Sequence, residues 1–121
     1  MAKTHLPVLV VDDDRDVRDG LKALLSADGY TVETAGNGRD ALAALYAGLQ
    51  PCAIVLDLDM PVMGGSEFRQ EQLNHPQFAH IPVILFSAEA DPQVAVHLRA
   101  DAYIEKPADI SQLVKLVERF C

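Results

Sequence analysis

Leu6-Pro7-Val8-Leu9-Val10-Val11 runs straight into Asp12-Asp13-Asp14. An apolar, β-branched run of this length reads as a buried strand, and the consecutive acids mark its end. The same construction recurs down the chain. Ala53–Leu56 (AIVL) stops at Asp57, Ile81–Phe86 (IPVILF) stops at Ser87, and Ala102–Ile104 (AYI) leads into Glu105-Lys106-Pro107. These four runs read as strands buried on both faces. Tyr30–Ala35 (YTVETA) alternates instead and fits an edge strand.

Helical periodicity fills the gaps. Val17, Leu21, Leu24 and Leu25 fall on one face of a first helix, with Asp14 as its N-cap. Ala41, Leu42, Leu45 and Leu49 mark a second after Gly36-Asn37-Gly38, and Phe68 and Leu73 mark a weaker third. Asp91-Pro92 opens a fourth with a cap and a proline at the first helical position. Asp109 caps a fifth, carrying Ile110, Leu113, Val114 and Val117, with Leu116 off the stripe as an exposed contact. The pattern is (βα)5, an α/β fold with a doubly wound parallel five-stranded sheet. It fits the flavodoxin-like order 2-1-3-4-5. In such sheets ligands bind beyond the carboxyl ends of the strands, where the chain reverses direction.

The 121 residues, 50% hydrophobic and 23% charged, predict one folded domain over residues 1–121. Eighteen Asp and Glu against ten Lys and Arg give a net charge of −8, which argues against direct binding to nucleic acid or an anionic membrane. The opening apolar run is too short for a secretion signal or a membrane span. Cys52 and Cys121 lie outside any CxxC motif and predict two free thiols in a reduced, cytoplasmic protein.

Chemistry gathers at the strand ends. Asp12, Asp13 and Asp57 converge on the reversal point, joined by Ser87 and Lys106. Any one of these has a structural explanation, as a helix cap or a turn. The set does not, because fitting residues stand at the same end of four strands. Carboxylates about 4 Å apart repel by roughly 4 kcal/mol per pair at an effective dielectric near 20, so a cation is expected among them. All-oxygen ligation without His or Cys favours Mg2+ over zinc. A carboxylate beside a hard cation, an ammonium and a hydroxyl is suited to phosphoryl transfer, with the carboxylate as nucleophile.

The stretches VLVVDDD (Val8–Asp14), VETAGNGRDAL (Val32–Leu42), IVLDLDMPVMGG (Ile54–Gly65), IPVILFSA (Ile81–Ala88) and ADAYIEKP (Ala100–Pro107) together resemble the receiver domain of two-component response regulators over about Leu6–Phe120. The resemblance implies Asp57 as phospho-acceptor. It implies Mg2+ held by the side chains of Asp13 and Asp57 and the backbone carbonyl of Asp59, with Asp12 on a metal-bound water. Ser87 takes the place of the switch hydroxyl, Tyr103 that of the switch aromatic, and Lys106 the phosphoryl-binding lysine. Small Ala88 leaves the phosphoryl site open, and the Lys106–Pro107 bond is expected to be cis. A histidine kinase or histidine phosphotransfer protein is the expected donor. The face of the fourth helix, fifth strand and fifth helix is expected to meet a downstream protein. Asp59 and Glu89 are expected to tune the lifetime of the acyl phosphate.

Two positions depart from the family pattern. Arg99 stands where Gly is common, so a left-handed backbone there would be strained and the turn could differ. Gly64 stands where Asp is common, and Gly64-Gly65 is expected to loosen its loop. His75 and His80 are read as a solvated loop rather than a metal pair, and His5 and His97 as surface residues. A haloacid-dehalogenase-type phosphohydrolase would match Asp57-Leu58-Asp59, but Pro61 and the third-strand position speak against it. A flavodoxin would need a phosphate-cradling loop where Asp12-Asp13-Asp14 stands, and a docking-only pseudo-receiver would not keep Asp13, Asp57, Ser87 and Lys106. Met1-Ala2-Lys3 at the start favours a stand-alone receiver over an excised piece.

Overall fold

The computed structural model describes residues 6–121, which leaves His5 outside the described residues. Strands and helices alternate as β1 (Val8–Val11), α1 (Arg15–Ala27), β2 (Val32–Ala35), α2 (Gly38–Tyr46), β3 (Ala53–Leu56), α3 (Gly65–Leu73), β4 (Val83–Ser87), α4 (Pro92–His97), β5 (Ala102–Glu105) and α5 (Ile110–Phe120). The sheet is parallel throughout, in the order β2-β1-β3-β4-β5. The expected edge position of the alternating strand is observed. β1 and β4 begin one residue after Pro7 and Pro82, which have no N–H to give to a ladder but lend their carbonyls to Cys52 and Ile54.

Strand alternation divides the core in two. Leu9, Val11, Ile54, Leu56 and Leu85 face α2, α3 and α4, where they meet Leu42, Leu45 and Phe68. Val8, Val10, Val55, Ile84 and Phe86 face α1 and α5, where they meet Leu21, Leu25, Leu113 and Val117. β5 is not buried on both faces as expected. It forms the second edge of the sheet, and only Ile104 in it is buried while Tyr103 and Glu105 are exposed. Leu24 is exposed despite its place on the α1 stripe, and Leu73 is only half-buried. Leu116 is half-buried against the second core rather than fully exposed.

Asp14, Asn37, Asp91 and Asp109 each accept a backbone N–H in the first turn of their helices, as N-caps do. At the other ends, α1, α2 and α4 close with the same paired bonds. Tyr30 N–H reaches Leu25 O, Leu49 N–H reaches Ala44 O, and Ala100 N–H reaches Ala95 O. This closure needs a left-handed residue between helix and exit. Gly29 (φ 96°) and Gly48 (φ 108°) supply it for the first two; Arg99 (φ 55°) supplies it for α4. The turn is therefore retained with a residue that pays the strain.

Beneath that turn lies a buried polar network that the periodicity does not reveal. Arg69 Nε donates to Leu98 O at 3.0 Å and Nη2 to Arg99 O at 2.6 Å, while Nη1 donates to Gln72 Oε1 at 2.7 Å. Gln72 Nε2 donates to Phe78 O and Ile81 O, both at 3.0 Å. Two long polar side chains thus tie α3 to the end of α4 and to the 74–82 connection.

The cysteine expectation is overturned: Cys52 and Cys121 form a disulfide, and no free cysteine remains among the described residues. They are 69 positions apart, but α5 packs on the face of β3 and ends beside the start of that strand. Their Cα atoms are 5.3 Å apart, inside the ~4.4–6.8 Å window for a bridge.

Candidate functional site

The carboxyl ends of β1 and β3 are neighbours, so the residues that follow them meet. Asp57 N–H donates to Val11 O at 2.9 Å, which sets Asp57 beside Asp12. Carboxylate oxygens of Asp12, Asp13 and Asp57 all lie within 4.8 Å of one another. Asp12 and Asp57 are buried and Asp13 is exposed, so the cluster opens to solvent on one side.

Lys106 enters from the loop after β5. Its Nζ is 2.7 Å from Asp12 Oδ2 and 3.6 Å from Asp57 Oδ2. The Phe86 ring backs it at 5.1 Å. The Lys106–Pro107 bond is cis, as expected. Burial, the largest influence on Asp12, pushes its carboxyl above the ordinary range, against the opposing bonds from Lys106 and Asp14 N–H. For Lys106 burial is also the largest single influence and acts downward, but the pairing with Asp12 and Asp57 outweighs it and the net direction is up.

Ser87 ends β4 and is buried; its Oγ accepts from Glu89 N–H at 3.2 Å, and its carbonyl accepts from Lys106 N–H. Ala88 and Glu89 are exposed beyond it. Asp59 is exposed, and its side chain stands outside the three-carboxylate cluster. Tyr103 on β5 is 40% exposed, opposite Leu85 in the ladder. His80 and His97 are exposed, whereas His75 is half-buried rather than part of a freely solvated loop. It stacks on Phe78 with ring centroids 4.4 Å apart and meets Tyr46 edge-on.

Several positioning residues escaped the sequence reading. Arg18 Nη1 donates to Asp12 O at 2.8 Å, holding the acidic turn from α1. Gly65 marks a close approach of two backbone segments. A Cβ there would lie 2.2 Å from Asp57 O, so the missing side chain lets the start of α3 close directly on the Asp57–Leu58 backbone. The Gly65 N–H then bonds Leu58 O at 3.0 Å. Gly38 likewise admits Met63, whose carbonyl accepts from Gly38 N–H at 2.8 Å. The paired glycines were the visible signal, read as mobility when they mark close approach. Just before them the loop makes a tight turn on Val62, at φ 70°.

This geometry matches known proteins along its length. The family model of the response regulator receiver domain matches residues 8–118. A 14.6 kDa protein of Leptolyngbya boryana is 36% identical over 120 residues, covering 97% of this chain and 91% of that protein. The regulatory protein AtoC of Escherichia coli is 36% identical over 93% of this chain, which spans only 24% of AtoC. Among solved structures, the chemotaxis response regulator CheY4 of Vibrio cholerae superposes with a TM-score of 0.86 at 32% identity, covering 98% of this chain and 100% of that one. The response regulator TrrA of Thermotoga maritima, in complex with Mg2+ and BeF, does so with 0.84 at 29% identity, covering 96% and 99%. With five parallel strands in the shared order and an acidic cluster at their reversal point, the chain belongs to the response regulator receiver domain family of two-component signalling proteins.

Proposed function

We propose that Asp57 accepts a phosphoryl group from a phosphohistidine on a histidine kinase or histidine phosphotransfer protein. The observation that carries this reading is Asp57 held within 4.8 Å of two further carboxylates, with Lys106 Nζ 3.6 Å from its own carboxylate. A carboxylate oxygen of Asp57 forms the O–P bond as the P–N bond breaks, and the imidazole nitrogen keeps the electron pair and takes a proton. Lys106 neutralises the phosphoryl oxygens, and the Ser87 hydroxyl donates to one of them. Hydrolysis by water returns the Asp57 carboxylate and releases phosphate, so the chain is a signalling domain rather than an enzyme acting on a separate substrate.

The three-carboxylate cluster, all hard oxygen donors, fits Mg2+. Asp12, Asp13 and Asp57 would hold it, with the Asp59 backbone carbonyl completing the set. Its chemistry there is to neutralise charge on the carboxylates and phosphoryl oxygens. TrrA in complex with Mg2+ and BeF supports this assignment.

The responding face is that of α4, β5 and α5, where Val96 (79% exposed), Tyr103 and Ile110 leave apolar surface in solvent. We read Ser87 moving toward the phosphoryl group and Tyr103 following it as the switch, with a downstream protein as the reader. The net negative charge favours a protein reader over nucleic acid. No helix among the described residues is long and apolar enough to cross a membrane. We place the phosphoryl exchange in the cytoplasm, within one receiver unit over residues 1–121.

Incubation with acetyl phosphate and Mg2+ tests the acceptor. Intact mass should rise by one phosphoryl group in the wild type and not in Asp57→Ala; equal uptake by both overturns it. Amide shifts on adding beryllofluoride should concentrate in residues 87–116 if the proposed face responds.

A further inference from the structure

We propose that Cys52 and Cys121 are a redox-active pair that clamps the last turn of α5 in its oxidised state and releases it when reduced. The two halves are held differently. Cys52 is fixed at the base of the central sheet, its N–H bonded to Pro7 O at 2.9 Å immediately before β3. Cys121 follows α5 and keeps one backbone bond, from its N–H to Val117 O. α5 is anchored by Leu113 and Val117, both fully buried; beyond Val117 only Phe120 and Cys121 pack against the core, and both are half-buried. The disulfide is therefore the covalent tie of the turn that follows Val117. Neither cysteine is fully buried, so the pair lies at the edge of the core rather than inside it.

The chemistry is thiol–disulfide exchange with a low-molecular-weight disulfide such as oxidised glutathione. One cysteine thiolate attacks a sulfur of that disulfide, forming a mixed disulfide and expelling one glutathione thiolate. The second cysteine thiolate attacks the protein sulfur, forming Cys52–Cys121 and expelling the other glutathione. Two protein thiols lose two electrons and two protons, and one glutathione disulfide becomes two glutathiones. Reduction runs the same steps backwards.

The position of the pair separates it from the phosphoryl chemistry. Cys52 and Asp57 bracket the same strand, about 17 Å apart at the usual rise of roughly 3.3 Å per residue. Redox state should thus alter α5 without altering uptake at Asp57. That α5 belongs to the responding face rests on the function proposed above; the exchange chemistry does not.

The test is hydrogen exchange of the whole chain, without any phosphoryl donor, after equilibration in glutathione buffers of graded ratio. Thiol alkylation and intact mass report the fraction reduced. Reduction should proceed in the folded protein and speed exchange of residues 118–121 at least tenfold, with β1 and β3 still protected. The Cys52→Ser and Cys121→Ser variants should show the fast exchange in every buffer. Two free thiols under oxidising buffer, a bond reduced only when the whole chain unfolds, or unchanged α5 exchange on reduction would each overturn the proposal. Phosphoryl uptake, measured separately in both redox states, reports on Asp57 whatever the clamp does.

Discussion

Lys106 Nζ sits nearer to Asp12 than to Asp57, at 2.7 against 3.6 Å. The lysine is thus held mainly by Asp12, close enough to reach Asp57, the proposed phosphoryl acceptor. The pairing does not fully offset the burial of Asp12, whose carboxyl stays raised. A raised acid binds its proton more tightly in the folded chain than in the unfolded one. The stability this gives is fully present below the unfolded value near 3.8 and is lost as pH rises through the raised folded value. In metal-free protein, the stability of wild type relative to Asp12→Asn should therefore fall as pH rises across that window. Urea unfolding of both proteins from acid to neutral pH measures the difference; a flat or rising difference would contradict it.

Mg2+ should act on the same strain from the other direction. A cation that binds only the folded cluster stabilises it by linkage, by about 2.7 kcal/mol at a hundredfold excess over its Kd. Thermal melts with and without Mg2+ should show a rise of several degrees in wild type and little in Asp13→Ala. An equal rise in both would remove Asp13 from the site.

Four strands and their chemical ends were legible because each is a short apolar run closed by a polar residue, and β2 because it alternates as an edge strand does. Asp12, Asp13, Asp57 and Lys106 meet for that reason. What stayed hidden depends on distance through space. Arg69 and Gln72 are polar residues on a helix with almost no apolar stripe, and nothing local says that their partners are carbonyls of α4 and of the 74–82 connection. Cys52 and Cys121 meet only after α5 has packed on β3. Gly65 looked like flexibility because a sequence does not show which backbone will press against it.

The Arg69 network should be costly to break. Arg69→Met keeps bulk but leaves Leu98 O and Gln72 Oε1 without their donor in a buried place, and Arg99 O without its donor in a part-buried one. Unpaired buried polar groups cost about 1–3 kcal/mol each, partly recovered by water. A loss of roughly 3 kcal/mol or more in urea unfolding is expected. A loss under about 1 kcal/mol would mean that solvent replaces the guanidinium easily.

Gly65→Ala should harm both fold and site. The added Cβ would press on the Asp57 carbonyl, which is backbone and has little room to yield. Overpacking of this kind costs roughly 1–3 kcal/mol, and the displaced segment carries Asp57 itself. Phosphoryl uptake from acetyl phosphate should slow well beyond any change in the fraction folded. Unchanged uptake in a folded Gly65→Ala would show that the close approach does not position Asp57.

Among the described residues, two non-glycines hold a positive φ, Arg99 at 55° and Val62 at 70°, and they offer opposite lessons about strain. Arg99 closes α4 in a turn where α1 and α2 use Gly29 and Gly48. Its side chain is not what the network uses, since Arg69 bonds only its carbonyl. Arg99→Gly should therefore relieve strain and leave every bond of the turn in place. The gain is held to about 0.5–1 kcal/mol, because glycine also frees the unfolded chain. Val62 is β-branched, which makes its conformation costlier, and its neighbours Pro61 and Met63 close a three-residue turn through Met63 N–H and Pro61 O at 2.8 Å. It is 69% exposed, so packing does not compensate. Val62→Gly should stabilise by at least as much as Arg99→Gly. Yet Val62 lies in the loop that joins Asp57 to α3, and there rigidity has a use that it lacks at Arg99. Phosphoryl uptake should be unchanged in Arg99→Gly and slower in Val62→Gly despite its greater stability. Equal uptake in the two variants would show that the strain at Val62 contributes nothing to the site.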